Sequence, residues 1–180
     1  MIKVSELSPH FRSTLNWLVI AASVLLCSML SLTRLPGMQL QEIGPQWLLI
    51  WVVAWSVKRT PLQGVIAGLA LGAVQDGLTA SYPSHIFSLA IVGFLTARLQ
   101  KQRYVQEDFI SIALIVFAMS VIAETITAIQ YSLYGFVSLE TIWVTHQRFV
   151  LLSATLSSLW GPVVYWPLNR WWQQIEAFEQ

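Results

Sequence analysis

Charge is scarce in this sequence. Only 11% of its 180 residues are Asp, Glu, Lys or Arg, whereas a soluble domain carries about 25% and needs them to coat its water-facing surface. That shortage excludes a soluble globular enzyme as the starting point. Disorder is excluded too, because it requires low hydrophobicity and high charge, and 56% of these residues are hydrophobic. Neither sign dominates. The formal net charge is +1, which gives no bulk attraction to nucleic acid. Cysteine is nearly absent, and Cys27 alone can build neither an internal disulfide nor a cysteine-based zinc site. Catalytic patterns are missing as well. There is no His-x-x-x-His and no Glu-x-x-His, and Gly64, Gly68 and Gly72 lack the Gly-Lys-Ser/Thr ending of a phosphate loop. No serine sits in Gly-x-Ser-x-Gly. No catalytic residue, metal or cofactor is expected.

What is present is apolar length. The mean hydropathy is +0.61 and there are nine tryptophans, which indicates an integral membrane protein. A helix needs about 20 mostly apolar residues to cross roughly 30 Å of hydrocarbon. Six runs qualify as spans or partial spans: Leu15 to Leu32, Gln46 to Val57, Leu62 to about Gln75, His85 to Leu99, Phe109 to about Tyr134, and Phe149 to Leu168. The first reads as a permanent anchor, since no small-x-small cleavage site follows it. The second and third are short. They are expected either to cross a thinned bilayer with Lys58 and Arg59 snorkelling or to form a partial hairpin. The expected fold is a single all-α transmembrane domain over residues 1–180, a compact bundle of six helices with both termini on one side.

Charge asymmetry orients it. With the N-terminus inside, the inner segments carry Lys3, Arg12, Lys58, Arg59, Arg98, Lys101, Arg103 and Arg170, and the outer segments carry Arg34 and Arg148. In loops this short, that bias predicts both termini in the cytoplasm and residues 77–84 and 135–148 outside. Trp17, Trp166, Trp171 and Trp172 fall near the inner interface, Trp47 and Trp143 near the outer one.

Helices in lipid associate through close packing and buried polar contacts. Gly64, Gly68 and Gly72 recur every fourth residue and continue to Asp76, a glycine groove ending in a carboxylate. Ser23, Cys27 and Ser31, then Ala90, Gly93 and Ala97, then Ser153, Ser157 and Gly161 repeat the pattern on other helices. As a set these stripes predict a tight bundle. Glu124 lies near the centre of the longest run, on one helical face with Ser120, Thr127 and Tyr131. A mid-membrane carboxylate costs at least about 2.5–3.5 kcal/mol on insertion scales, so it faces protein or water. It is expected to be protonated or hydrogen-bonded, as a polar clasp or as a ligand or proton site. Trp47, Trp51 and Trp55 form an aromatic ridge that packs against lipid or another span, or stacks a flat ligand. Gln75, Asp76 and His85 cluster near the outer ends of the third and fourth helices, and His146 and Arg148 fall in the last outer loop. Asp76 sits at the wrong end of its helix for the dipole. It is therefore expected to bond a neighbouring helix end, with the first turn of helix 4 near Ser84 as the natural partner.

The stretch from Gly44-Pro45-Gln46-Trp47-Leu48-Leu49 through Trp51 and Trp55 to Pro61, Gly64, Gly68, Gly72 and Gln75-Asp76-Gly77 resembles the bacterial rod shape-determining family MreD. The family opens its second span with Pro-x-Trp-Leu-Leu and closes its third with Gly-x-x-x-Asp. Ser84 stands here where the family's Pro-x-Gly turn has glycine, while Gly93 and Arg98 fit its fourth span. The clear resemblance covers about residues 44–103. It implies a non-enzymatic scaffold of the cell-elongation machinery in the bacterial inner membrane, organising lateral peptidoglycan synthesis. The implied partners are MreC, MreB directly or through MreC, RodA, a class B penicillin-binding protein and membrane lipids. Candidate structural or partner residues are Asp76, Gln75, Glu124, Trp51, Trp55, Gly64, Gly68 and Gly72. The alternative is a vitamin-binding subunit of an energy-coupling-factor transporter, a class with a similar expected fold. It would use Glu124, Trp51 and His146 on a small ligand.

Overall fold

The computed structural model describes residues 9–33, 43–79, 83–100, 108–133 and 139–176. They contain six helices: α1 (Pro9–Leu32), α2 (Trp47–Ser56), α3 (Pro61–Leu78), α4 (His85–Gln100), α5 (Phe109–Leu133) and α6 (Leu139–Glu176). Among the described residues, three stretches are long and apolar enough to cross a membrane, Phe11–Leu32, Phe109–Leu133 and Gln147–Ile175. Lys3, Arg34, Tyr82, Lys101, Arg103 and Gly135 lie outside the described residues, as do the side chains of Trp143 and His146.

The helix boundaries have local causes. Helix α3 starts at Pro61 because Thr60 caps it. Gln63 N–H donates to Thr60 Oγ1 (3.4 Å) and Thr60 N–H donates to Gln63 Oε1 (3.2 Å). This is a reciprocal capping box with proline at the first helical position. Helix α6 corrects an expectation. The last outer loop was placed over residues 135–148, yet α6 begins at Leu139, so His146 and Arg148 lie on a helix. The apolar pattern reports where lipid contact begins, whereas helical hydrogen bonding continues into polar surroundings. At its other end α6 continues past Pro167 to Glu176, eight residues beyond the expected Leu168. At about 1.5 Å per residue its 38 residues span roughly 57 Å, well over the hydrocarbon thickness.

The centre of the bundle is α2. Its sequence is apolar all round, which is the signature of a helix with no solvent face. Nine of its ten residues are buried, with Trp55 half-buried. It touches each of the other five helices. Around it, α3 and α4 form one closely packed hairpin and α5 and α6 another, while α1 rests mainly on α2. Most of α1 therefore stays exposed, including Trp17, Leu18, Leu25, Leu26 and Met29.

Ten residues of helix give α2 a length of about 15 Å, half the hydrocarbon thickness. The chain reaches it through the non-helical segment Ile43–Gln46, in which Pro45 is buried. Helix α2 is thus preceded by a short irregular segment, and the ten helical residues alone are too few to cross a membrane.

Candidate functional site

The face of α3 carrying Gly64, Gly68 and Gly72 lies directly on the backbone of α4. A Cβ at Gly64 would come within 2.9 Å of the Gly93 carbonyl carbon and overlap its oxygen. At Gly68 it would lie 2.5 Å from the Leu89 carbonyl carbon, and at Gly72 2.9 Å from the Ile86 nitrogen. Gly93 meets Gly64 reciprocally. Backbone-to-backbone approach of this kind gains dispersion and requires residues without side chains at the contact.

The next position on that face is Asp76, and its carboxylate covers the start of α4. Ser84 Oγ–H donates to Asp76 Oδ2 (2.8 Å), and His85 N–H donates to Asp76 Oδ1 (2.7 Å). His85 Nδ1 lies 2.8 Å from the same oxygen. Ile86 N–H in turn donates to Ser84 Oγ (3.3 Å), so the first free N–H groups of α4 are satisfied from two sources. The dipole conflict disappears: Asp76 ends α3, but its charge rests on the positive end of α4. Gln130 on α5 donates to Ser84 O (3.1 Å) and ties the third helix to this corner. Gln75 contributes its carbonyl oxygen, which accepts from Thr79 N–H (2.9 Å) and Oγ1–H (2.7 Å) and closes the last turn of α3.

A second polar cluster lies at the start of α2. Gln46 Nε2 donates to Glu124 Oε1 on α5, and Gln46 N–H donates to Ser157 Oγ on α6 (2.9 Å). Gln46 is the residue from which α2 starts. The carboxylate is therefore held beside a helix N-terminus, where negative charge is favoured. Non-helical backbone buried in protein needs hydrogen-bond partners, and Ser157 supplies one for the Gln46 N–H. Glu124 thus joins α5 to the residue from which α2 starts.

The tryptophan ridge points inward. Trp51 is 3% exposed, and its Nε1–H donates to Ser23 Oγ on α1 (2.9 Å). Trp47 meets Trp160 of α6 with ring centroids 5.4 Å apart, and Trp51 stacks on Trp55 at 5.5 Å. Trp172 of α6 meets Trp55 edge-on at 5.1 Å, and the Arg59 guanidinium sits 4.7 Å over the same ring. Trp172 is buried, so the tail of α6 is part of the core and not solely an interfacial anchor, whereas Trp166 is exposed. Of the described cations, Arg148 lies in the first part of α6, whereas Arg12, Lys58, Arg59, Arg98 and Arg170 fall at the start of α1, the α2–α3 turn and the ends of α4 and α6. The alternating run of the helices brings these points to one end of the bundle, opposite Asp76.

Sequence reasoning missed Gln46, Ser157 and Gln130. Gln46 carried a signal, because a polar residue directly after Pro45 and before nine apolar positions marks a helix start that needs a partner. Ser157 carried none beyond its small-residue stripe, and Gln130 carried none. Among the described residues no group of three or more His, Cys, Asp or Glu side chains comes together. A family model described as rod shape-determining protein MreD matches residues 11–169. No curated protein and no solved structure matches the chain.

Proposed function

This chain belongs to the MreD family of rod shape-determining proteins, and from that premise we propose that it is a membrane scaffold of the cell-elongation machinery, without catalytic activity of its own. The family match carries this reading. The fold supports it in a specific way. The bundle interior is occupied by α2, and Trp51 and Glu124, which a vitamin site would need, are engaged by Ser23 and Gln46. The surface left for recognition is the outside of the helices, above all the exposed side of α1.

In this reading the protein is a multi-pass component of the bacterial inner membrane with six spans and both termini in the cytoplasm. The basic end of the bundle is the inner end. Its partners are MreC, MreB directly or through MreC, and RodA with a class B penicillin-binding protein, engaged through membrane helices and helix ends. The Asp76 cap then fixes the surface shown to the outside, and the glycine groove sets the rigidity of the hairpin beneath it.

Depletion from a rod-shaped host tests the reading. Cells are expected to round and swell, and the protein is expected to co-purify with an MreC-like partner in mild detergent. Normal cell shape after depletion, together with high-affinity vitamin binding by the purified protein, overturns it. A cysteine placed at Gly135 is expected to be labelled from outside intact cells, and labelling only from the cytoplasmic side refutes the topology.

A further inference from the structure

Three observations meet where the chain joins α2. Gln46 is bonded at once to Glu124 on α5 and to Ser157 on α6, which fixes the start of α2 against the α5–α6 hairpin. On the opposite side, the Trp51–Ser23 hydrogen bond sets the register of α2 against α1. One turn along each of these antiparallel helices places Cys27 of α1 level with Trp47, the first residue of α2. Cys27 is 1% exposed and belongs to the same buried cluster as Trp47. The α1–α2 contact is otherwise modest, since α1 buries little of its surface and leans mainly on α2.

We propose that Glu124 is a latch: by holding Gln46 it keeps the start of α2 seated, closes the crevice between α1 and α2 over Cys27, and when removed lets this one seam open while the rest of the bundle stays packed. The latch couples the connection between α1 and α2 to the α5–α6 hairpin through the Gln46 side chain, beside the backbone bond from Gln46 to Ser157. The seam is the natural place for local opening. An irregular segment has fewer internal hydrogen bonds than a helix, and regions with few buried contacts open at lower free energy than the core. The α3–α4 hairpin, in backbone contact along its glycine face, has no such freedom.

Cys27 is the protein's own reporter, because it is the sole cysteine in the sequence and a thiol buried in apolar surroundings is inert until it opens to reagent. The test is the rate of N-ethylmaleimide labelling of the full-length protein, in membranes and in mild detergent. Wild type is expected to label slowly. Loss of a buried hydrogen bond to a charged group corresponds to about a tenfold or greater rise in the open fraction, so Glu124→Leu is expected to label about tenfold faster or more. Glu124→Gln retains an acceptor for Gln46 Nε2 and is expected to stay within about threefold of wild type. Gln46→Glu alone sets two carboxylates against each other and is expected to label fast. The double variant Gln46→Glu/Glu124→Gln restores an amide–carboxylate pair and is expected to return to the slow rate. A reference protein, Cys27→Ser with Ala97→Cys, places the thiol at a buried site on α4, and its labelling is expected to stay slow with or without Glu124→Leu. Wild-type labelling in Glu124→Leu overturns the latch. So does equal acceleration at position 97, which signals general loosening, and so does failure of the double variant to recover.

Discussion

Two glycine-to-alanine substitutions in α3 are predicted to change stability in opposite directions. In a helix interior, alanine is favoured over glycine by about 0.8–1 kcal/mol from backbone freedom alone. At Gly77 nothing lies within 4 Å of the added methyl, so Gly77→Ala gains that term at no packing cost. At Gly68 the methyl lands 2.5 Å from the Leu89 carbonyl carbon and 2.7 Å from the Ala90 Cα. Real methyl contacts need roughly 3.4 Å or more, and these neighbours are backbone that cannot rotate away. The hairpin must separate by about an ångström, against a usual cost of about 1–3 kcal/mol for overpacking. Separation also lengthens the contacts at Gly64 and Gly72 and draws Asp76 off the start of α4. The net expectation is a loss of up to about 2 kcal/mol for Gly68→Ala and a gain of up to about 1 kcal/mol for Gly77→Ala. With about 2–4 °C per kcal/mol for a protein of this size, the two variants should melt several degrees apart in the same detergent, followed by far-ultraviolet circular dichroism or by loss of the monodisperse elution peak. A Gly68→Ala protein that melts with Gly77→Ala, or above it, refutes backbone contact as the basis of the α3–α4 hairpin.

Asp76→Ala is expected to lower stability by about 1.5–3 kcal/mol, because it leaves a helix start and a serine hydroxyl without their charged acceptor, while Asp76→Asn retains one acceptor and is expected to lose less. The same melting assay separates them, and indistinguishable Asp76→Ala and wild-type curves count against the cap. Trp172→Ala removes the edge-on partner of Trp55 from a buried site and is expected to cost about 3–5 kcal/mol, whereas Trp166→Ala, at a 59% exposed position, is expected to leave the melting temperature nearly unchanged. Ser120 is fully buried and its hydroxyl has no hydrogen-bond partner among the described residues, so Ser120→Ala is expected to be neutral or stabilising by up to about 1–3 kcal/mol; a clear loss would mean that the hydroxyl is satisfied.

The sequence carried helix existence well and helix purpose poorly. All six apolar runs are helices, because a run of apolar residues long enough to meet lipid has to satisfy its backbone internally. The glycine face and Asp76 were legible for the same reason that they work. A spacing of four places Gly64, Gly68, Gly72 and Asp76 on one line, and a carboxylate at the unfavourable end of its own dipole has to find a second helix. The boundaries of α6 were not legible from hydropathy, since the residues just outside the lipid are polar yet remain helical.

The Trp47, Trp51 and Trp55 ridge shows where periodicity stops informing. A line of tryptophans at helical spacing describes a surface but not what faces it, and lipid, another span and a flat ligand all favour the same residues. What distinguishes them is the rest of α2. Leu48, Leu49, Ile50, Val52 and Val53 make every other face apolar as well, so no side of the helix is set apart for a ligand or for water. A helix of that kind in a membrane has two places to go. It can float in lipid, for which ten residues are too few, or it can sit inside protein. Shortness and uniform apolarity together require the central position that α2 takes. That position sets its non-helical start against α5 and α6, where Ser157 accepts from the Gln46 N–H and Glu124 accepts from the Gln46 side-chain amide. The isolated acidic residue on α5 and the unusually short α2 are thus two signs of one structural arrangement.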